Sequence, residues 1–345
     1  MATEEDAPAR EVRTHPIDGA LLENWQRHLP LIPRPFAEMA DQLGVSEDLV
    51  LARLTALQQS GIVARVGAVV RPNTLGASTL AAVAARTLDV DAVAERLAGM
   101  AGINHVYLRE NALNIWFVVT GPDRAYVDAT LQAVERQTRL TPLDLRLEEA
   151  FHIDLGFPLE RHGEPLKHAP VARACASARA CDELDRALAQ SLTDGLPLVA
   201  QPFAAIGRQL ALTEAEVIAR LEALRDAVIL PRIGVIVRHR ALGWRSNAMV
   251  VFDVEPGKVS AAGQALARVP GINLCYRRTR YADAWPYNLY CMVHARSRSD
   301  AFATLADARR AADLEDVPMQ VLFSQRCYKQ TGALIKPDRK STRLN

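Results

Sequence analysis

"PFAEMADQLGVSEDLVLARLTALQQSGIVARVGAVVRPNTLG" (residues 35–76) returns about 167 residues later as "PFAAIGRQLALTEAEVIARLEALRDAVILPRIGVIVRHRALG" (residues 202–243). Pro35-Phe36, Gln42-Leu43, Ala52-Arg53-Leu54, Arg65, Gly67, Arg71 and Leu75-Gly76 reappear as Pro202-Phe203, Gln209-Leu210, Ala219-Arg220-Leu221, Arg232, Gly234, Arg238 and Leu242-Gly243. Farther on, Gly102-Ile103-Asn104 pairs with Gly271-Ile272-Asn273 and Tyr107 with Tyr276. A duplication, or a fusion of two related subunits, accounts for this, and the fold must be read as one unit used twice.

Each copy opens with two short helical segments, Asp18 to Arg27 and Pro35 to Leu43, then Asp182 to Gln190 and Pro202 to Leu210. Ser46 and Thr213 are suited to cap a third helix, with acidic residues in its first turn. Val50, Leu54 and Leu57, like Val217, Leu221 and Leu224, recur at helical spacing. With an apolar wing at 62–71 and 229–238, each set reads as a winged helix-turn-helix. Beyond the wings the period falls to 2 and alternates with helices. The first copy reads as strand 79–87, helix 90–100, strands 103–109 and 113–120, helix 122–137 and strand 144–151. The second reads as strand 246–254, helix 257–268, strands 272–278 and 287–295, helix 299–312 and strand 318–323. This β-α-β-β-α-β order is the ferredoxin-like split unit. The expected fold is therefore α+β, a pseudo-two-fold tandem of winged helix plus ferredoxin-like domain. The expected divisions are 15–72 and 73–158, a linker at 159–180, then 181–240 and 241–330, and an unstructured tail at 331–345. The two ferredoxin-like sheets are expected to face one another.

Composition narrows the function. With 345 residues, 49% apolar and 23% charged, the chain is an ordinary soluble globular one rather than disordered or fibrous. No apolar run approaches the ~18 residues of a membrane span, and the acidic, polar start does not resemble a signal peptide. Five cysteines make no disulfide framework, so reduced thiols in a cytoplasm are expected. The net charge of +1 conceals halves of −7 (16 basic, 23 acidic residues over 1–170) and +8 (25 basic, 17 acidic over 171–345). Opposite charge favours pairing of the halves, and an anionic ligand should prefer the second. Metal-ligand spacings, a nucleophile elbow, GxGxxG and a Walker loop are all missing. Resident metals and nucleotide-dependent chemistry are not expected.

Polar groups accumulate in the second copy. Arg238-His239-Arg240 closes the wing, Trp244-Arg245-Ser246-Asn247 opens a strand, Tyr276-Arg277-Arg278 ends another, and "WPYNLYCMVH" (285–294) forms its hairpin partner. Alternation puts Asn288, Tyr290, Met292 and His294 on one face, turned away from the domain's own helices, and Leu289, Cys291 and Val293 on the other. Seven arginines (232, 238, 240, 245, 277, 278, 280) gather around wing and sheet edges, and Arg's planar fork holds carboxylates bidentately. A ligand bearing many carboxylates fits such a cluster. Taken singly, an arginine reads equally as a solvated surface group, His239 also as an exposed loop residue, and His294, His105 and His152 also as hydrogen-bonded structural residues.

A winged helix followed by a ferredoxin-like domain resembles the Lrp/AsnC regulators over most of both halves. Its third helices are a poor match to DNA. Glu47 and Asp48 stand against Arg53 alone, and Glu214, Glu216, Glu222 and Asp226 against Arg220 and Arg225, whereas DNA affinity rests on cations facing phosphates. The segments 230–254 and 275–298, with 61–76 and 105–119 in the first copy, are similar to the siroheme decarboxylases in their fused form. The resemblance implies loss of carbon dioxide from two acetate side chains of siroheme, giving didecarboxysiroheme, in the nitrite-reductase haem or the alternative haem route. It implies no added cofactor, the iron belonging to the substrate. It leaves further homo-oligomerisation of the intramolecular pair open.

On that basis Arg232, Arg238, Arg240, Arg245, Asn247, Tyr276, Arg277, Arg278, Trp285, Tyr287, Asn288 and Tyr107 are expected to bind substrate. His239, His294 and His105 are the candidate proton donors, His239 foremost because its arginine neighbours would set it beside carboxylates. The first copy carries Pro72-Asn73, Leu108 and Thr120 where the second has His239-Arg240, Arg277 and His294. One principal site, lined mainly by the second copy, is expected. Two other readings remain open: a DNA-binding regulator that senses a ligand, and a haem-binding carrier or sensor in which His239 or His294 ligates iron.

Overall fold

The computed structural model describes residues 15–153, 180–281 and 283–336; most of the expected linker and the last nine residues lie outside them. The elements run in chain order α1 (Asp18–Asn24), α2 (Pro35–Leu43), α3 (Glu47–Gln59), β1 (Val63–Val69), β2 (Ala77–Val83), α4 (Val90–Gly99), β3 (Ile103–Arg109), β4 (Ile115–Gly121), α5 (Arg124–Thr138), β5 (Leu143–Leu145) and β6 (Leu147–Ile153). The second copy follows as α6 (Glu183–Asp194), α7 (Pro202–Leu210), α8 (Glu214–Asp226), β7 (Arg232–Val237), a 3-10 turn (His239–Leu242), β8 (Ser246–Phe252), α9 (Val259–Leu266), β9 (Ile272–Arg278), β10 (Leu289–Ala295), α10 (Arg298–Ala311) and β11 (Met319–Gln330).

The helical domains form a single core through their wings. β1 and β7 are one strand each and pair antiparallel with each other, Gly67 opposite Gly234. Both glycines are needed for close approach. A Cβ on Gly67 would lie 2.1 Å from the Leu192 carbonyl oxygen of α6, and one on Gly234 2.3 Å from that of Trp25. The sequence reading extended α1 to Arg27; it stops at Asn24 because the Trp25 carbonyl accepts the N–H of Val235 (2.7 Å) from the other copy's wing. Ser46 and Thr213 do cap α3 and α8.

One charge pair is duplicated beneath these helices. Arg53 of α3 grips Asp18 through Nε (3.0 Å) and Nη2 (2.8 Å), and Arg220 of α8 reaches Asp185 (2.8 Å) and Asp182 (2.9 Å). Asp185 is fully buried and Arg220 partly so. Asp185→Ala leaves Arg220 paired with Asp182 but removes a buried charge-assisted hydrogen bond and the capping box of α6. It should destabilise the protein by about 2 kcal/mol, read as a lower denaturant midpoint.

The ferredoxin-like halves exchange their last strands. The sheet runs β5-β2-β4-β3-β11-β8-β10-β9-β6. β11 pairs with β8 over Met319–Phe323 and with β3 over Ser324–Gln330. Likewise β5 pairs with β2, and β6, the same chain run after a kink at Arg146, pairs with β9 of the other half. The run from β5 to β6 thus closes a ring of eight strands, flattened into two facing sheets with helices outside, and β3 and β9 stand on opposite walls. The expected end of the final strand at 323 is corrected to Gln330, because its partner belongs to the other copy. The first strand of the first copy likewise stops at Val83, where the Asn114 side chain takes over both backbone groups of Ala85 (2.9 Å each).

The facing sheets meet in an apolar plug of Ala82, Trp116, Leu145, Met249, Val251, Trp285, Tyr290 and Leu322. The plug fills one end of the inter-sheet space; the other end is open. The tail, expected to be unstructured, is pinned across that end over its first residues. Thr331 N–H bonds the Asn104 carbonyl (2.8 Å), Leu334 N–H the Thr120 hydroxyl (2.8 Å) and Ile335 N–H the Gln190 amide oxygen (2.7 Å). At Gly332 an added Cβ would lie 2.2 Å from the Thr193 carbonyl oxygen.

Candidate active site

The open end of the inter-sheet space is a cavity walled by β1 to β4, β7 to β10 and the tail segment 330–335. Strand alternation decides which side chains enter it. On β3, Tyr107 and Arg109 point inward while Ile103 and Val106 pack on the helices, and a bulge at 103–105 brings Asn104 and His105 inward as well. On β9, Leu274, Tyr276 and Arg278 line the wall; on β10, Tyr290, Met292 and His294 do, with Leu289, Cys291 and Val293 in the helix-side core.

Two Tyr-x-Arg pairs face each other across the pseudo-two-fold axis. The Arg109 guanidinium lies 5.4 Å from the Tyr107 ring centre and the Arg278 guanidinium 5.1 Å from that of Tyr276, cation–π geometry in both cases. Arg109 Nη1 donates to the Leu322 carbonyl (3.1 Å), and Arg278 Nη1 to the Leu145 carbonyl (2.9 Å). In each arginine Nε–H is buried with no hydrogen-bond partner among the described residues. Burial pulls Arg109 down to about 10 and Arg278 below its ordinary value. A guanidinium at about 10 is still charged at neutral pH, and an unpaired buried donor is costly until an anion meets it. Tyr276 is pushed up to about 12 and Tyr107 further, both chiefly by burial, so both remain neutral phenols.

The histidines differ. His294 sits between two asparagines: Asn247 Nδ2 donates to its Nε2 (3.0 Å), and its Nδ1 faces Asn273 Oδ1 (3.0 Å). This arrangement holds the neutral Nδ1–H tautomer. The free oxygen of Asn247 is buried without a partner among the described residues. His105 Nδ1 is also buried without one, and its pKa is pulled down to about 4, first by burial and then by Arg65 and Lys329. His105 is thus a neutral base when the cavity is empty. For His239 the structure describes the backbone, in the 3-10 turn; its side chain lies outside the described residues.

The other candidates scatter. Arg232 lines the cavity, but its Nε donates to the Gln26 carbonyl (2.6 Å) and its Nη2 to that of Val235 (3.2 Å), tying the wing to α1. Arg240 bonds the Ser324 carbonyl (3.1 Å) near Tyr107 and Arg109. Arg238 is exposed and lines a neighbouring cleft with Arg65 and Lys329. Arg245 is exposed. Arg277 pairs with Glu148 (2.8 Å) and Arg280 with Asp253 (2.7 Å), outside the cavity. Trp285 and Tyr287 belong to the plug, Trp285 donating to the Tyr290 hydroxyl (2.7 Å) against Trp116 (ring centres 5.2 Å apart). Asn288 is spent on both backbone groups of Val254 (2.8 and 3.0 Å). Sequence reasoning missed Arg109, Asn273 and the tail wall. Arg109 was findable, since Tyr107-x-Arg109 repeats as Tyr276-x-Arg278. Among the described residues no group of three or more His, Cys, Asp or Glu side chains could hold a metal.

Comparison with known proteins gives this site its setting. A family model of the AsnC-like ligand binding domain matches residues 74–152 and 241–329, and one of the siroheme decarboxylase NirDL-like HTH domain matches 18–63 and 185–230. The siroheme decarboxylase NirDL subunit of Paracoccus denitrificans is 50% identical over 319 residues, covering 92% of this chain and 97% of that one. The NirD subunit of Stutzerimonas stutzeri, a separate chain, is 47% identical over 149 residues, 43% of this chain and 96% of its own. A crystal structure of the siroheme decarboxylase NirDL superposes with a TM-score of 0.64 at 24% identity, over 93% of this chain and 94% of that one, which establishes the shared fold. Repeat, fold and relatives agree, and the chain belongs to the siroheme decarboxylase NirDL family.

Proposed function

We infer that this chain removes carbon dioxide from the two acetate side chains of siroheme, giving didecarboxysiroheme. The observation that carries the reading is the pair of buried arginines, Arg109 and Arg278, whose Nε–H groups have no hydrogen-bond partner among the described residues, in a cavity that also holds His105. A flat apolar macrocycle edged with carboxylates matches a space between two sheets with arginines on opposite walls. Each decarboxylation breaks the bond between methylene and carboxyl carbon. The electron pair passes into the conjugated macrocycle, carbon dioxide leaves, and one proton completes the methyl group.

The chain supplies three things to that step. The arginines fix the carboxylates, turning a mobile acid into a positioned one. The aromatic walls keep water from the reacting group. His105 delivers the proton through Nδ1. Bound carboxylates raise its pKa from about 4, so that it takes up a proton as substrate enters. The reading needs no added organic cofactor, since the macrocycle accepts the electrons and the iron arrives with the substrate. It includes an intramolecular pair in place of separate subunits and a cytoplasmic setting.

Anaerobic incubation with siroheme and mass analysis of the tetrapyrrole tests the reading. Loss of two carbon dioxide units is expected; unchanged siroheme bound tightly would point to a carrier instead. DNA reading is the weaker alternative, because the arginines midway along the third helices, Arg53 and Arg220, are turned inward onto Asp18 and Asp185. The protein is expected to give no sequence-specific mobility shift with duplex DNA at sub-micromolar concentration and physiological salt.

A further inference from the structure

We propose that the two acetates are lost in two separate visits of the macrocycle to the cavity, because the carboxylate clamp is two-fold symmetric while the proton donor stands on one wall. The inference rests on the decarboxylation proposed above. Symmetry of the clamp is explicit. Arg109 and Arg278 occupy equivalent positions of the repeat on β3 and β9, each over its own tyrosine and each bonded to the equivalent leucine carbonyl of the other half. A tetrapyrrole turned by half a revolution meets the same two guanidinium groups.

Proton delivery is not symmetric. Two residues before Tyr107 stands His105; two residues before Tyr276 stands Leu274, and both line the cavity. His294 does not replace the missing donor, because both its ring nitrogens are engaged by asparagines at 3.0 Å. Among the described residues, an acetate beside Arg278 thus has no counterpart of His105 to protonate it, while one near His105 reacts. To turn, a macrocycle clamped at both walls must first release both guanidinium groups, and with the plug filling one end it is then free to exit by the other. It leaves after one decarboxylation and returns turned. Each visit breaks one methylene–carboxyl bond, releases one carbon dioxide and consumes one proton, which His105 regains from water.

A pulse–chase experiment decides this. The full-length protein is loaded anaerobically with isotopically labelled siroheme and chased at once with a large excess of unlabelled siroheme. Labelled monodecarboxylated tetrapyrrole is expected in the ultrafiltrate, and the chase should cut labelled doubly decarboxylated product severalfold. Leu274→His, which places an imidazole on the second wall, should raise the share of label carried through to that product; Leu274→Ala should not. Label passing undiminished to the doubly decarboxylated product, with none in the filtrate at the halfway stage, would overturn the proposal. Absence of any decarboxylation would instead defeat the functional reading beneath it.

Discussion

Replacing His105 with glutamine is expected to slow single-turnover decarboxylation of siroheme by about a hundredfold or more, the usual scale for a positioned acid or base. Siroheme binding should change far less. The amide keeps the size and polarity of the ring but cannot shuttle a proton. The same residue makes two pH signatures. Its folded pKa of about 4 lies below the ordinary histidine value of 6.5. Between those values the unfolded chain binds a proton that the folded chain refuses, so the empty protein loses stability as pH falls through that window. Siroheme binding has the opposite sign, because carboxylates raise the pKa and binding takes up a proton. The affinity should therefore strengthen on moderate acidification. His105→Gln should lose both dependences, in denaturant unfolding and in anaerobic titration respectively.

Arg109→Ala and Arg278→Ala are each expected to weaken siroheme binding by roughly 1.5–3 kcal/mol, the range for a hydrogen bond to a charged group, or about 10- to 150-fold. Anaerobic absorbance titration reads the effect. The two guanidinium groups stand on opposite walls and bond different carbonyls, those of Leu322 and Leu145, so the losses should combine nearly additively in the double variant. Arg277→Ala is the control. That arginine neighbours Arg278 in sequence but is paired with Glu148 outside the cavity, and its loss should leave affinity close to the wild-type value.

The repeat made the architecture legible, because two copies of one hydrophobic pattern confirm each other's helices and strands. Three features escaped. The mutual pairing of the wings and the exchange of last strands are contacts between copies, which no local period encodes; β11 was cut short at 323 for that reason. The tail was assigned no structure because its order comes from Gln190, Thr193 and Thr120 rather than from its own sequence. Among site residues, alternation correctly separated Tyr290, Met292 and His294 from their helix-facing neighbours. Charge density was the poorer guide. It drew attention to Arg238, Arg245 and Arg277, which lie exposed or in ion pairs, and passed over Arg109, a lone arginine in a copy that looked poor in polar groups. What marks Arg109 is burial with an unmet donor, a property shared in the cavity by Arg278, Arg65 and Arg71, and burial depends on the opposite sheet.

The central claim, that the space between the sheets is where siroheme reacts, is tested most directly by a crystal structure of the His105→Gln variant with siroheme bound anaerobically. The expected result has the macrocycle between the two sheets, carboxylate oxygens at about 2.7–2.9 Å from Arg109 and Arg278 nitrogens, and one acetate methylene facing residue 105. A macrocycle seated instead in the cleft beside Arg238, or on the helical domains, would contradict it.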